Sequence, residues 1–242
     1  MTYSADPSAL HNKIILVTGA GDGIGKAAAK AYAAHGASVI LCGKNEKSLN
    51  AVYDEIEETG GAQAAVLAID FETAIPQDYK NLATLLENEF GKLDGLLINA
   101  GWLGHSAPVA QYEIETWFKV MQINLNAPFL LTHHLLPLLN KSESASIVFT
   151  LDEKDSAYWG AYGVSKAGLS SFMKILSDEL DTISSPVRVN GIKPDKVRTK
   201  LYMRAYPGED PNTIKKPDDI MEQYLYLMTD DSADTHGSII EV

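Results

Sequence analysis

One stretch, Val17-Thr18-Gly19-Ala20-Gly21-Asp22-Gly23-Ile24-Gly25-Lys26, constrains the fold of this chain more than any other. It follows an apolar run, Ile14-Ile15-Leu16-Val17, that reads as a buried strand, and it opens an alanine-rich helical pattern reaching His35. A strand that turns through glycines into a helix forms a natural phosphate site. Gly19 permits the tight turn, and Gly23 and Gly25, lacking a Cβ, let backbone and helix approach a bound pyrophosphate. The free N–H groups and the positive dipole end of the helix attract the anion. Glycine spacing alone is a weak signal; the strand before it and the helix after it make the stretch a dinucleotide-site candidate.

The remainder of the chain repeats the strand–helix alternation. Strand-like runs fall at Lys13–Thr18, Ser38–Cys42, Ala64–Ile69, Gly95–Ile98, Ser146–Thr150, Val187–Ile192 and Ser238–Val242. Several are apolar without a break, as when both faces of a parallel sheet are covered. Helical patterns lie between them, including a long one over Ile114–Leu139 and another over Tyr158–Leu180. The pattern predicts an α/β fold with a doubly wound parallel sheet and helices on both faces. No repeat or linker divides the 242 residues, so residues 1–242 read as a single domain, with an irregular flap at about 197–216 that carries Pro207, Gly208 and Pro211.

The net charge of −12 argues against nucleic acid or an anionic membrane as the main partner. No apolar run approaches the roughly 20 residues needed to span a bilayer. A single cysteine, Cys42, and an N-terminus without a signal-peptide pattern suit the cytoplasm. The six histidines are scattered, or adjacent as His133-His134, so no metal site is expected. No Gly-x-Ser-x-Gly elbow supports a hydrolase.

Four features line up with the glycine turn. Asn99-Ala100-Gly101 follows Leu96-Leu97-Ile98 at the carboxyl end of a strand, where ligands bind in open α/β sheets. Asn124 lies within the long helical pattern, and a buried amide needs partners, structural or functional. Tyr162 and Lys166 are spaced i, i+4 on one helix face, and no other tyrosine here has a lysine four residues on. An ammonium beside a phenol favours the phenolate, and a phenol so tuned exchanges protons with an alcohol oxygen near neutral pH.

In these motifs, Thr18-Gly19-x-x-x-Gly23-x-Gly25, Asn99-Ala100-Gly101, Asn124 and Tyr162-x-x-x-Lys166, the chain resembles the single-domain short-chain dehydrogenase/reductase family. The resemblance implies a seven-stranded Rossmann sheet. It implies that Thr18, Gly19, Gly23, Ile24 and Gly25 hold the cofactor pyrophosphate, and that Asp70 meets the adenine. Asn99, with Ala100 and Gly101, would line the cofactor site. Lys166 would hold the nicotinamide ribose and Thr199 the carboxamide. Tyr162 would be the acid/base and Asn124 would hold a relay water. The substrate would be a small carbonyl or alcohol, and the two long helices would pair copies into a homodimer or homotetramer. Surplus leucines at 130, 131, 135 and 138 point the same way.

Charge decides the expected cofactor. An acidic residue after the second strand would bond the ribose 2′-hydroxyl of NAD. Here the place reads Cys42-Gly43-Lys44-Asn45, and Lys44 could pair with the 2′-phosphate of NADP; Asp22 in the glycine turn works against that phosphate, and NAD stays the alternative. Two departures touch catalysis. Where relatives carry a serine after the fifth strand, this chain reads Leu151-Asp152-Glu153, in a loop that looks shorter than usual, and Thr150 and Ser156 are the nearest hydroxyls. A carboxylate accepts hydrogen bonds only and would raise a neighbouring tyrosine's pKa. Pro194-Asp195 replaces the usual proline-glycine. The expected activity is hydride transfer between NADP(H) and a carbonyl or alcohol. The rival expectation is a cofactor-binding sensor or interaction module with impaired or no dehydrogenase activity.

Overall fold

The computed structural model describes residues 3–183 and 185–242. Seven strands form one parallel sheet in the order β3-β2-β1-β4-β5-β6-β7. They are β1 Ile14–Thr18, β2 Ser38–Gly43, β3 Ala64–Ala68, β4 Gly95–Ile98, β5 Ala145–Thr150, β6 Val187–Lys193 and β7 Ile239–Glu241. The helices are α1 Gly23–Ala34, α2 Glu46–Glu58, α3 Pro76–Phe90, α4 Ile114–Met121, α5 Ala127–Leu139, α6 Gly160–Thr182, α7 Lys200–Ala205 and α8 Met221–Met228.

The unbroken apolar strands have the cause expected of them. Along β1, Ile15 and Val17 enter the core beneath α1, α2 and α8, while Leu16 enters the core beneath α3, α5 and α6. Each is fully buried. Truncating such a leucine to alanine costs about 2–5 kcal/mol. Chain order reverses between β1 and β4, so their carboxyl ends open the crevice where open α/β sheets bind ligands.

Three local features differ from the sequence expectation. The pattern over Ile114–Leu139 is not one helix: a π-helical turn, Gln122–Asn126, separates α4 from α5 and turns Asn124 inward. Such turns concentrate at functional sites. The segment read as an irregular flap carries α7, capped by the Thr199 hydroxyl on the Tyr202 amide at 3.0 Å, and a 3-10 turn at Pro211–Thr213. The leucines read as surplus are not free: Leu131, Leu135 and Leu138 are buried in the chain's own core, and Leu130 packs against it. The exposed apolar side chains on these helices are instead Ile114, Phe118, Phe129, Val164 and Ile175. No helix among the described residues is long and apolar enough to cross a membrane.

Candidate active site

Thr18 ends β1 and ties the crevice together. Its buried hydroxyl donates to the Leu97 carbonyl at 3.0 Å and accepts from the Asn99 and Ala100 amides at 2.8 and 3.0 Å. The Asn99 side-chain amide returns to the Thr18 carbonyl at 3.1 Å. The one donor and both lone pairs of the hydroxyl are therefore used. Gly19 follows with φ +69° and Gly23 with φ +54°, both left-handed. A Cβ on Gly25 would collide with the Gly19 carbonyl oxygen and lie 2.6 Å from the Asn99 amide nitrogen. Helix α1 thus sits directly on the turn, and its first amides lack acceptors within the helix. Asp22 caps it by accepting from the Gly23 amide at 2.9 Å, and Lys200 answers the Asp22 charge at 2.7 Å.

The glycine turn and the tyrosine share one cleft of about 390 Å³. Gly19, Asp22, Gly23 and Ile24 line it with Thr199, which lies against Gly23, and Asn99, Ala100 and Gly101, the last beside Lys166, join them to Asp152, Tyr162, Lys166 and Asp195. Thr18 and Gly25 stand behind this surface. Lys44 and Asp70 do not line it. They meet at the carboxyl ends of β2 and β3, where the Lys44 ammonium pairs with Asp70 at 2.8 Å and Glu72 at 3.3 Å. Glu72 also holds Lys119 at 2.8 Å, and Lys119 lies over the Trp102 ring at 4.5 Å. Nothing in the spacing of these residues announces that chain of charges.

Asn124 is buried and fully engaged. Its oxygen accepts from the Trp102 amide at 2.8 Å, and its nitrogen donates to the Trp102 carbonyl and the Ser165 hydroxyl, each at 3.0 Å. Lys166, buried on α6, donates to the Thr150 carbonyl at 3.0 Å. Burial holds its pKa down at about 8, against the opposing pull of Asp152.

The carboxylate of Asp152 stands beside the tyrosine, as its place in the sequence suggested. The Tyr162 hydroxyl donates to one Asp152 oxygen at 2.9 Å. The other Asp152 oxygen accepts from the Glu153 amide at 2.9 Å and faces the Lys154 ammonium at 3.2 Å. Two opposite expectations meet at Tyr162: Lys166 would lower its pKa and Asp152 would raise it. Burial, then the charge and hydrogen bond of Asp152, push the Tyr162 phenol well above its ordinary value. The lysine ammonium lies 6.0 Å from the ring centroid. The neighbouring hydroxyls give no relief. Thr150 shares its hydroxyl with Tyr224 at 3.2 Å, and Ser156 is exposed and outside the cleft lining. Asp195 is exposed at the cleft wall.

Trp102 and Leu103 line the same cleft, and Tyr158 and Trp159 line an adjoining cavity of about 250 Å³. Among the described residues, no three His, Cys, Asp or Glu side chains cluster as metal ligands would.

A parallel sheet with a glycine turn at its switch point, and a Tyr/Lys pair facing that turn, defines a class of nucleotide-dependent oxidoreductase folds. Residues 13–210 match the short chain dehydrogenase family, and the chain belongs to it. It is 43% identical over 235 residues to the uncharacterized oxidoreductase YciK of Escherichia coli, covering 96% of this chain and 92% of that one. A short chain dehydrogenase structure from Pseudomonas syringae superposes with a TM-score of 0.94 at 47% identity, covering 100% of this chain and 99% of the other. Another, from Escherichia coli and complexed with NADPH, gives a TM-score of 0.93 at 43% identity, covering 98% and 99%.

Proposed function

We propose that this chain is an NADP(H)-dependent oxidoreductase acting between a small carbonyl and the corresponding alcohol. The observation that carries the proposal is the shared cleft: Tyr162 and Lys166 open onto the same space as the glycine turn. The donor set suits a dinucleotide, because a floor without side chains and the first amides of α1 face where a pyrophosphate would lie. Thr18, Gly19, Gly23, Ile24 and Gly25 would form that floor. Asn99, Ala100 and Gly101 would flank the adenosine side, with Asp70 at the adenine. Lys166 would hold the nicotinamide ribose and Thr199 the carboxamide. Lys44 would meet a 2′-phosphate, and the NADPH complex of a close relative supports this choice over NAD. When bound, the nicotinamide supplies or accepts the hydride.

The chain's own residues handle the proton. Tyr162 is held protonated at neutral pH by its burial and by Asp152, so it suits proton donation to a carbonyl better than abstraction from an alcohol. Donation requires that its O–H turn from Asp152 to the substrate. Asn124 fixes the backbone at Trp102, beside the reacting end. The exposed apolar side chains on α4, α5 and α6 suit pairing of copies into a dimer or tetramer, and the single, buried Cys42 suits the cytoplasm.

A second reading is favoured by one contact. With the Tyr162 O–H committed to Asp152, the chain would bind NADP(H) while turning over carbonyls slowly or not at all, as a sensor or interaction module. Titration with NADPH and NADH, followed by a carbonyl and alcohol turnover screen, separates the two. Tighter NADPH binding with brisk turnover lost in Tyr162→Phe supports the enzyme. Tight binding without turnover supports the second reading, and no binding of either nucleotide removes both.

A further inference from the structure

The reacting end of the cleft has an unusual hydrogen-bond polarity. A carbonyl oxygen needs donors. The single phenolic proton of Tyr162 is directed at Asp152, so the phenol oxygen presents lone pairs to the cleft. Asp152 is a carboxylate and accepts only. The Asn124 amide is committed to Trp102 and Ser165, the Ser165 hydroxyl donates to the Tyr162 carbonyl at 2.8 Å, and the Thr150 hydroxyl is paired with Tyr224. Lys166 keeps N–H groups beyond the one on Thr150, and the Arg204 guanidinium lines the same cleft, but neither is placed between Tyr162 and Asp152. Two acceptors therefore stand together where the resemblance expects a pair of hydroxyl donors.

Asp152 and Asp195 line the cleft together with the cations Lys166, Lys200 and Arg204. Lys154 answers Asp152 on its other oxygen, from a second cavity of about 700 Å³ that Asp152 separates from the cleft. The oxygen facing Tyr162 is left without a cationic partner in direct contact. The apolar wall of Trp102 and Leu103 completes a pocket for an organic group with a polar N–H tip.

We propose that the preferred substrate of this site is a protonated imine, whose C=N–H⁺ group donates to Asp152 and the Tyr162 oxygen, rather than a ketone. This substrate class rests on the hydride-transfer function proposed above. The imine carbon accepts the hydride and its electron pair from the reduced nicotinamide. The C=N π pair moves onto nitrogen and cancels its positive charge, and the nitrogen keeps its proton. The products are a neutral amine and the oxidised nicotinamide. No proton leaves Tyr162, so a phenol locked onto a carboxylate is no obstacle to this reaction. The carboxylate that opposes an alkoxide stabilises the iminium.

The test needs no turnover. Calorimetry on the full chain, with and without NADPH, compares benzylamine, which is protonated at neutral pH, with benzyl alcohol, its near-isostere. The ammonium should bind roughly tenfold tighter or better, and both Asp152→Asn and Asp152→Ser should erase the difference. Circular dichroism checks that each variant is folded. A turnover arm compares 2-methyl-1-pyrroline with cyclopentanone; wild type should favour the imine and Asp152→Ser the ketone. Equal binding of the two probes, or an amine preference that survives in both variants, overturns the proposal. Failure of NADPH to bind would instead remove the underlying hydride-transfer function, and the probe comparison on the cofactor-free chain would still be decisive for the acceptor pair.

Discussion

The two ends of the cleft are made of different materials. At the β1–α1 end the wall is backbone, shaped by glycines and pinned by one buried hydroxyl, Thr18. At the Tyr162 end the wall is ionisable side chains, with Asp152, Asp195 and Lys166 around the phenol. The first end follows the family pattern closely, because a pyrophosphate asks for backbone amides and space, and few residues other than glycine provide them. The second departs from it, because exchanging one polar side chain for another leaves the fold intact while changing what the site can donate. Binding and chemistry can therefore diverge within one cleft.

The sharpest way to break this contrast is to restore the tyrosine end. Asp152→Ser returns a donor and removes a charge. Since one positioned donor to a reacting oxygen is worth roughly 10²–10³ in rate, steady-state carbonyl reduction with NADPH should rise by about that order at most, and further with Asp195→Gly. A shorter loop that misplaces the hydroxyl reduces the gain. Activity that falls in Asp152→Ser contradicts the account.

Next in size is damage to the glycine end. Gly25→Ala places a Cβ against the Gly19 carbonyl. Overpacking of this kind costs about 1–3 kcal/mol. NADPH affinity by fluorescence titration and the thermal midpoint should both fall, while the wild-type balance of ketone and imine turnover persists in whatever activity remains. Unchanged affinity would mean that α1 does not rest on the turn.

A pH effect comes third. Burial sets the Lys166 pKa near 8, below its ordinary value of 10.5. Between those values the unfolded chain holds more protons than the folded one, so the contribution of this group to stability rises with pH. Below about 8 the full cost of burying the ammonium is present. Asp152 is the acidic group that eases that cost. Thermal melts from about pH 7.5 to about pH 9.5 should therefore show wild type gaining stability relative to Lys166→Met. A flat or falling difference contradicts the buried ammonium.

The smallest expected effect is at the far rim. Lys44 has a side chain 64% exposed and already faces two carboxylates, so a 2′-phosphate must compete with Asp70 and Glu72. Lys44→Ala should weaken NADPH relative to NADH only slightly, because an exposed ion pair contributes little, as read by paired titrations. A wild type that prefers NADH would overturn the assignment of Lys44.

Much of this was legible in the sequence. The strands, the glycine turn and the Tyr162/Lys166 face follow from spacing, because each depends on local periodicity, and the oddity at Asp152 follows from the family resemblance. Contacts between distant segments did not show. The Lys44–Asp70–Glu72–Lys119 charges come from the turn after β2, the loop after β3, and α4, and only the fold brings them together. The π turn at Asn124 keeps an unbroken helical pattern in the sequence, so it read as plain helix. The leucines of α5 read as surplus because the pattern does not say that the sheet and neighbouring helices cover them. The raising effect of Asp152 on Tyr162 was expected, but the burial that adds to it was not, since the i, i+4 rule says nothing of burial.

The central claim is that Tyr162 keeps its proton and donates it in a hydrogen bond to Asp152, and the ionisation of that one phenol tests it most directly. Carbon-13 labelling of tyrosine ring carbons, with Tyr162 assigned by Tyr162→Phe, allows its titration to be followed by NMR with NADP⁺ bound, from about pH 6 to about pH 10. The account predicts a phenol throughout that range in wild type, and a lower titration midpoint in Asp152→Ser. A wild-type Tyr162 that is a phenolate near neutral pH would contradict it.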